Sequence, residues 1–158
     1  MPDLDLLDGF GLRPAEPRDA DGIARLVDAA YRQYIPLLGR TPMPMLTDVA
    51  VAIRNHPIWV LETNGEIAGV LELEDRGDHL WIDNVAVDPQ RQGLGLGRWL
   101  LGFAEREARR LGRTELGLLT NERYTANIAM YERYGYVETH REPYLGTDLV
   151  YFRKRLDP

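Results

Sequence analysis

The sequence contains no cysteine. This absence excludes disulfides, zinc–thiolate sites and thiol nucleophiles, and it removes the usual sequence mark of an oxidising compartment. The first eight residues carry three aspartates, instead of the basic start and apolar segment of a secretion signal. No apolar run is long enough to span a membrane. We therefore predict a cytoplasmic protein that is neither exported nor embedded in a membrane.

An excess of positive charge is also lacking, since 25 acidic residues outnumber 19 basic ones and give a net charge of −6. Proteins that bind nucleic acid need a basic face that displaces counterions, so we predict no nucleic-acid partner. A length of 158 residues with 44% apolar content is typical of one soluble globular domain. We predict a single domain over 1–158, with 1–8 as a flexible or extended arm.

Hydrophobic periodicity predicts a mixed α/β chain with the element order β, α, α, β, β, β, α, β, α, β, β. Helical spacing of apolar residues marks helices near 17–34, 45–56, 98–112 and 125–135. β-rich runs at 58–63, 66–75 and 79–87 are separated by short turn sequences and indicate an antiparallel meander. Further strands are predicted at 114–120, 136–141 and 148–156.

The stretch DPQRQGLGLGR, residues 88–98, places glycines at every second position between a strand and a helix. A nucleotide-binding P-loop would need Lys and Ser or Thr after the last glycine, whereas Arg98 and Trp99 follow here. A dinucleotide fingerprint starting at Gly93 or Gly95 would place its third glycine at a non-glycine position. The remaining interpretations are a helix N-terminus whose free amides bind a phosphate, or a flexible turn without a ligand.

The same stretch resembles the acetyl-CoA motif of the GNAT N-acetyltransferase superfamily, Q/R-x-x-G-x-G/A, here Gln92, Gly95 and Gly97. A second segment, NIAMYERYGYVE, is similar to the family's later helix and aromatic turn, with Tyr131 and Gly135 in the motif. Many members place an asparagine seven residues before this tyrosine, where the present chain has a tyrosine; its asparagine, residue 127, lies four before.

The resemblance covers about residues 10–155 and implies an α/β (α+β) GNAT-like domain. Its sheet would be mostly antiparallel with about 6–7 strands, with strands 4 and 5 splayed apart and about four helices alongside. The resemblance implies acetyl-CoA as co-substrate and no metal. The implied cofactor contacts are Val85, Ala86, Val87, Gln92, Gly93, Leu94, Gly95, Gly97, Arg98 and Asn127.

The implied reaction is direct attack of a primary amine on the thioester within a ternary complex. Tyr131 is the candidate acid that protonates the leaving thiolate, because a phenol keeps its proton at neutral pH. A backbone amide near Asn84 or Val85 is the candidate oxyanion donor. Asp83 is the first candidate for the base; as part of a regular strand it would face the same side as Val85, whereas a bulge would reverse this. The other candidates for the base are Glu72, Glu74 and His79.

Acceptor recognition is expected from the first two helices and the C-terminal hairpin, with Tyr31, Tyr34 and Tyr144 as candidate contacts. Arg40, Met43 and Met45 are further candidates for the acceptor pocket, although apolar residues at helical spacing more often form the core. The expected partner is a small-molecule or peptide amine, and a homodimer is an open possibility for the assembly. A coenzyme A binding or sensing module without turnover is the alternative function.

Overall fold

A computed structural model describes residues 8–158, so the arm predicted at 1–8 lies almost entirely outside the described residues. Seven strands form one sheet in the order β1-β2-β3-β4-β5-β7-β6. Neighbouring strands are antiparallel except for β4 and β5, which are parallel. The strands are β1 (Gly11–Pro14), β2 (Ile58–Thr63), β3 (Glu66–Asp75), β4 (Leu80–Val87), β5 (Glu115–Asn121), β6 (Val137–Tyr144) and β7 (Thr147–Arg155).

The helices are α1 (Ala20–Tyr31), the four-residue α2 (Ile35–Leu38), α3 (Val49–Asn55), α4 (Leu96–Arg110) and α5 (Thr125–Arg133). The predicted order of elements is confirmed, with α2 as an additional short turn of helix. The second predicted helix begins later than expected because the Asp48 side chain accepts a hydrogen bond from the Val51 amide and so caps α3. No helix within residues 8–158 is long and apolar enough to cross a membrane.

Helices cover both faces of the sheet, and alternation along the strands divides the core between them. On β3, Leu71 belongs to the apolar cluster that includes Leu100 and Ala104 of α4. Its neighbour Val70 belongs to the opposite cluster, which includes Ile23 and other residues of α1. Successive side chains of a strand point to opposite faces, so β2, β3 and β4 each supply both clusters.

Strands β4 and β5 separate soon after they meet, which confirms the predicted splay. They pair only at Leu80 with Leu116 and at Trp81 with Gly117. A Cβ atom on Gly117 would lie 2.9 Å from Cε3 of Trp81, so glycine lets the indole cover the point where the strands are last paired. Beyond Trp81, the β5-facing edge of β4 has no strand partner within the described residues. This opening positions the candidate site.

A bulge interrupts β4 beside the opening. Asn84 pairs with Glu72 and Ile82 pairs with Leu73, which leaves Asp83 as the extra residue. The bulge shifts the alternation, so that Ile82 and Val85 pack with the α4 cluster and Ala86 with the α1 cluster. The expectation for a regular strand, that Asp83 and Val85 face the same side, is therefore wrong.

Candidate active site

The glycine loop ends in a helix N-terminus, as predicted. Gly95 is in the left-handed region at φ 79° and is the N-cap of α4. The Trp99 amide donates to the Gly95 carbonyl at 3.0 Å, so the amides of residues 96–98 precede the first turn's hydrogen bond. Gly93 has a φ of 87°, a conformation that favours glycine. The loop thus presents unpaired amides that can receive an anion.

The arginines of this loop differ in their contacts. Arg91 donates to Glu66 at 2.6 Å and to Asp88 at 2.5 Å. The Arg98 guanidinium carbon lies 5.6 Å from the centre of the Tyr134 ring. Arg91 therefore pairs with two carboxylates, whereas Arg98 lies over the Tyr134 ring.

A cavity of about 450 Å³ occupies the space between the diverging strands and the α1–α3 side of the sheet. It brings together many candidates from separate parts of the chain. Those that line it are Tyr31, Arg40, Met43, Glu72, Asp83, Asn84, Val85, Asn127 and Tyr131. The free edge of β4 borders this cavity. The N-terminus of α4 follows the end of the same strand.

Tyr131 is 6% exposed and lies on α5 at the cavity wall. Burial raises the pKa of its hydroxyl well above the ordinary value, and the nearby Tyr34 hydroxyl adds to the effect. Its ring packs against Phe152 and edge-on against Tyr136, at centroid distances of 6.2 and 5.7 Å. The hydroxyl is therefore held in a fixed position and keeps its proton throughout the neutral pH range.

Tyrosines from three segments form the wall next to Tyr131. Tyr34 stacks on Tyr124 with ring centres 3.9 Å apart, and Tyr31 lies 6.5 Å from Tyr124. Tyr31 and Tyr124 line the cavity, whereas Tyr34 stands behind Tyr124. Burial raises the pKa of Tyr124 to about 12. Of the three predicted acceptor contacts, the structure places only Tyr31 at the cavity; the third, Tyr144, lies outside its lining against Arg40.

Carboxylates gather at the other part of the cavity. Glu72 and Asp83 line it, and one ligand atom each of His56, Glu74 and Asp83 lie within 4.8 Å of one another. Burial raises the pKa of Glu72, and the charge of Asp83 raises it further. Burial likewise raises the pKa of Asp83, followed by the charge of Glu74. These groups can accept a proton more readily than ordinary carboxylates do.

His79 is not part of this group. Its Nδ1 lies 2.7 Å from Asp78, its ring packs edge-on to Trp81, and it does not line the cavity. Among the described residues, His56, Glu74 and Asp83 are close enough to share a cation. The Glu74 carboxylate is, however, already paired with Arg76 at 3.3 Å.

Sequence patterns did not single out His56 or Tyr124, whereas Arg40 was among the residues expected near the acceptor. His56 follows α3 and reaches the carboxylates only because α3 packs on the sheet. Tyr124 precedes α5, at the position where many members of the family have an asparagine. No local pattern marks either residue, because both acquire their neighbours from segments distant in sequence.

Comparison with known proteins identifies the class. The family model "Acetyltransferase (GNAT) family" matches residues 23–136. The "L-amino acid N-acyltransferase MnaT" of Escherichia coli is 29% identical over an alignment of length 119, and the match covers 68% of this chain and 69% of that protein. The chain therefore belongs to the GNAT family and is an acyltransferase.

Two further proteins extend this comparison. An L-methionine sulfoximine/L-methionine sulfone acetyltransferase of Salmonella typhimurium is 30% identical over 113 residues, covering 65% of this chain and 66% of that protein. A Salmonella typhimurium acetyltransferase solved with its cofactor acetyl-CoA has a TM-score of 0.72 at 24% identity, over 95% of each chain. The structural likeness supports the same fold.

Proposed function

We propose that this protein transfers an acetyl group from acetyl-CoA to the primary amine of a small molecule. The observation that carries the proposal is the junction of the free β4 edge, the α4 N-terminus and the cavity at Tyr131. Acetyl-CoA offers an extended amide-containing arm, a pyrophosphate and a thioester, which match these three features in that order. The acetyl-CoA in the similar Salmonella acetyltransferase supports the choice of co-substrate.

The pyrophosphate would bind the amides at Gly95, Gly97 and Arg98, where the helix dipole also favours negative charge. The pantetheine arm would then add to the unpaired edge of β4 at residues 85–87, as an extended peptide adds to a sheet. This path leads the thioester into the splay, beside Asn127 and Tyr131. Backbone groups would thus form most of the cofactor site. Gln92, Gly93 and Leu94 would contribute to it through the shape of the loop.

Transfer then proceeds by attack of the neutral amine nitrogen on the thioester carbon. The Val85 amide is suited to stabilise the oxyanion, because it lies on the free edge just after the bulge. As the carbon–sulfur bond breaks, the Tyr131 hydroxyl donates its proton to the departing sulfur. Asp83 or Glu72 accepts the proton that the amine loses, directly or through water. Coenzyme A and an N-acetylated amine are the products.

The test is release of free thiol from acetyl-CoA in the presence of a panel of primary amines, with mass spectrometry of the products. We expect thiol release that depends on the amine and matches the formation of one acetylated product. Coenzyme A binding without thiol release for any amine would contradict the proposal and favour a binding module.

A further inference from the structure

Arg40 lies at the wall of the cavity and has no ion-pair partner among residues 8–158. It follows α2 and lines the cavity, and its guanidinium carbon lies 5.1 Å from the centre of the Tyr144 ring. Its Nε atom is buried and has no hydrogen-bond partner within residues 8–158. None of the ion pairs among those residues includes Arg40. Buried donors are ordinarily satisfied, so an acceptor atom is missing here.

The other charged groups of the cavity do not supply that acceptor. The Asp48 carboxylate accepts a hydrogen bond from the Val51 amide and caps α3. Burial chiefly shifts the pKa of Glu72 and of Asp83; the charges of Asp83, His56 and Glu74 act on Glu72, those of Glu74, His56 and Arg76 act on Asp83, and Arg40 is not among them. Arg40 instead acts on the Tyr124 hydroxyl. The free cation therefore belongs to the tyrosine side of the cavity, apart from the carboxylates.

We infer that Arg40 binds the carboxylate of the amine acceptor and that the acceptor is a free amino acid. A guanidinium offers parallel N–H donors that match the two oxygens of a carboxylate. The Tyr144 ring lies under the guanidinium and holds its plane, which makes Tyr144 a positioning residue. This inference rests on the proposed function and adds the chemical class of the substrate.

Arg40 and the strand that would carry the thioester border the same cavity. Its amine and carboxylate are attached to one carbon, so the two groups must bind close together. Tyr124 is in electrostatic reach of Arg40 and 6.5 Å, ring to ring, from Tyr31. The Tyr31 hydroxyl lies 2.8 Å from the Asn84 side chain, on the strand that would carry the thioester. An amino acid whose carboxylate binds Arg40 would therefore lie in the cavity that also borders Asn84 and the proposed thioester position.

The experiment compares L-methionine and L-leucine with L-methioninamide and L-leucinamide as acceptors for the wild-type enzyme, Arg40→Gln and Arg54→Gln. Arg54 is an exposed arginine of α3 outside the cavity, so its variant controls for the loss of one positive charge. The amides retain the side chain and the amine but lack the anionic group. The ratio of variant to wild-type kcat/KM for each acceptor cancels the different basicities of the amines.

We expect Arg40→Gln to lower kcat/KM for the two acids by about 10–100-fold, mainly through KM, because a charged hydrogen-bonded pair is lost. The two amides should change by less than about 3-fold, as should all four acceptors with Arg54→Gln. Arg40→Lys, which retains the charge without the fork, should lie in between and also serves if Arg40→Gln does not fold.

An equal loss for acids and amides would overturn the inference, because Arg40 would then only shape the cavity. Acetylation of other amines but of neither amino acid by the wild-type enzyme would also overturn it and leave the proposed function intact. Failure of every amine in the panel would instead contradict the proposed function itself.

Discussion

The Tyr31 hydroxyl donates a 2.8 Å hydrogen bond to Oδ1 of Asn84, which links the end of α1 to β4 directly after its bulge. Burial raises the pKa of Tyr31 well above the ordinary value, so the donor stays protonated. Tyr31 was predicted to contact the acceptor, and it does line the cavity. Its hydroxyl, however, already donates to Asn84, on the strand that would border the thioester.

Tyr31→Phe should therefore lower the free energy of unfolding by about 0.5–1.5 kcal/mol, the usual net contribution of one intramolecular hydrogen bond. Urea denaturation measures the change. Tyr34→Phe is the matched control, because the Tyr34 hydroxyl forms no hydrogen bond within the described part of the chain and its ring stacking is retained. Equal effects of the two substitutions would show that the bond to Asn84 contributes nothing.

Tyr131→Phe should lower kcat by about 10²–10⁴-fold, because it removes the acid that protonates the leaving thiolate. Affinity for coenzyme A, measured by calorimetry, should change little. Since the pKa of Tyr131 is raised, the wild-type rate should show no decline from loss of this proton at or below pH 10. A parental rate in the variant would make Tyr131 a packing residue, and a loss of affinity would make it a cofactor contact.

Tyr136→Phe provides the control for that substitution. The Tyr136 hydroxyl is buried and has no hydrogen-bond partner in the described part of the chain, and its ring packs edge-on against Tyr131. Removal of an unpaired buried hydroxyl is expected to leave stability unchanged or slightly higher. The rate should stay within about 2-fold of the parental value, which would separate the role of the Tyr131 hydroxyl from that of the ring packing.

Gly97→Val should weaken coenzyme A binding without unfolding the protein. A Cβ at Gly97 would meet only Cγ2 of Val87 at 3.9 Å, an ordinary contact, and glycine is the poorer helix former. The new side chain would instead occupy space in front of the helix amides. Calorimetry should show at least about a 10-fold loss of affinity, with an unchanged melting temperature.

Gly11→Val is the matched control for added side-chain bulk, because a Cβ there meets no atom within 4 Å and Gly11 is on β1, at the far side of the sheet. Gly95→Val is less informative about the ligand. The φ of 79° at Gly95 strains any side chain, so reduced stability would accompany reduced affinity. Parental affinity in both loop variants would contradict the phosphate-binding role of the loop.

Glu74→Gln should move the acid limb of the kcat/KM profile to lower pH. The charge of Glu74 raises the pKa of both Asp83 and Glu72, and removal of that charge lowers both. A base with a lower pKa stays ionised to lower pH, so activity should persist further into the acid range. Asp75→Asn is the control, since its carboxylate pairs with Arg113 and acts on neither base candidate.

A comparison of Asp83→Asn with Glu72→Gln then distinguishes the two candidates. Loss of the true base should depress the rate most at low pH, where free amine is scarce. If Glu72 is the base, Asp83→Asn should instead move the acid limb to lower pH, because the charge of Asp83 raises the pKa of Glu72. An Asp83→Asn enzyme with the parental rate and pH profile would assign the role to water or to another group.

Local patterns were sufficient for the order of elements, the glycine-lined N-terminus of α4 and the family. Periodicity reports which side chains of one segment are buried, and the motif at Gln92, Gly95 and Gly97 depends on backbone conformation within a few residues. The splay of β4 and β5 also followed from the resemblance. These features need no information about which distant segments meet.

Tertiary structure decided the rest. The bulge at Asp83 depends on the pairing register between β3 and β4, and a one-residue change in register reverses the facing of a side chain. His56 meets Glu74 and Asp83, and Arg40 meets Tyr144, only through packing of segments far apart in sequence. The sequence by itself determined the fold and the glycine loop. The arrangement of charges around the cavity arose from long-range contacts that no local pattern encodes.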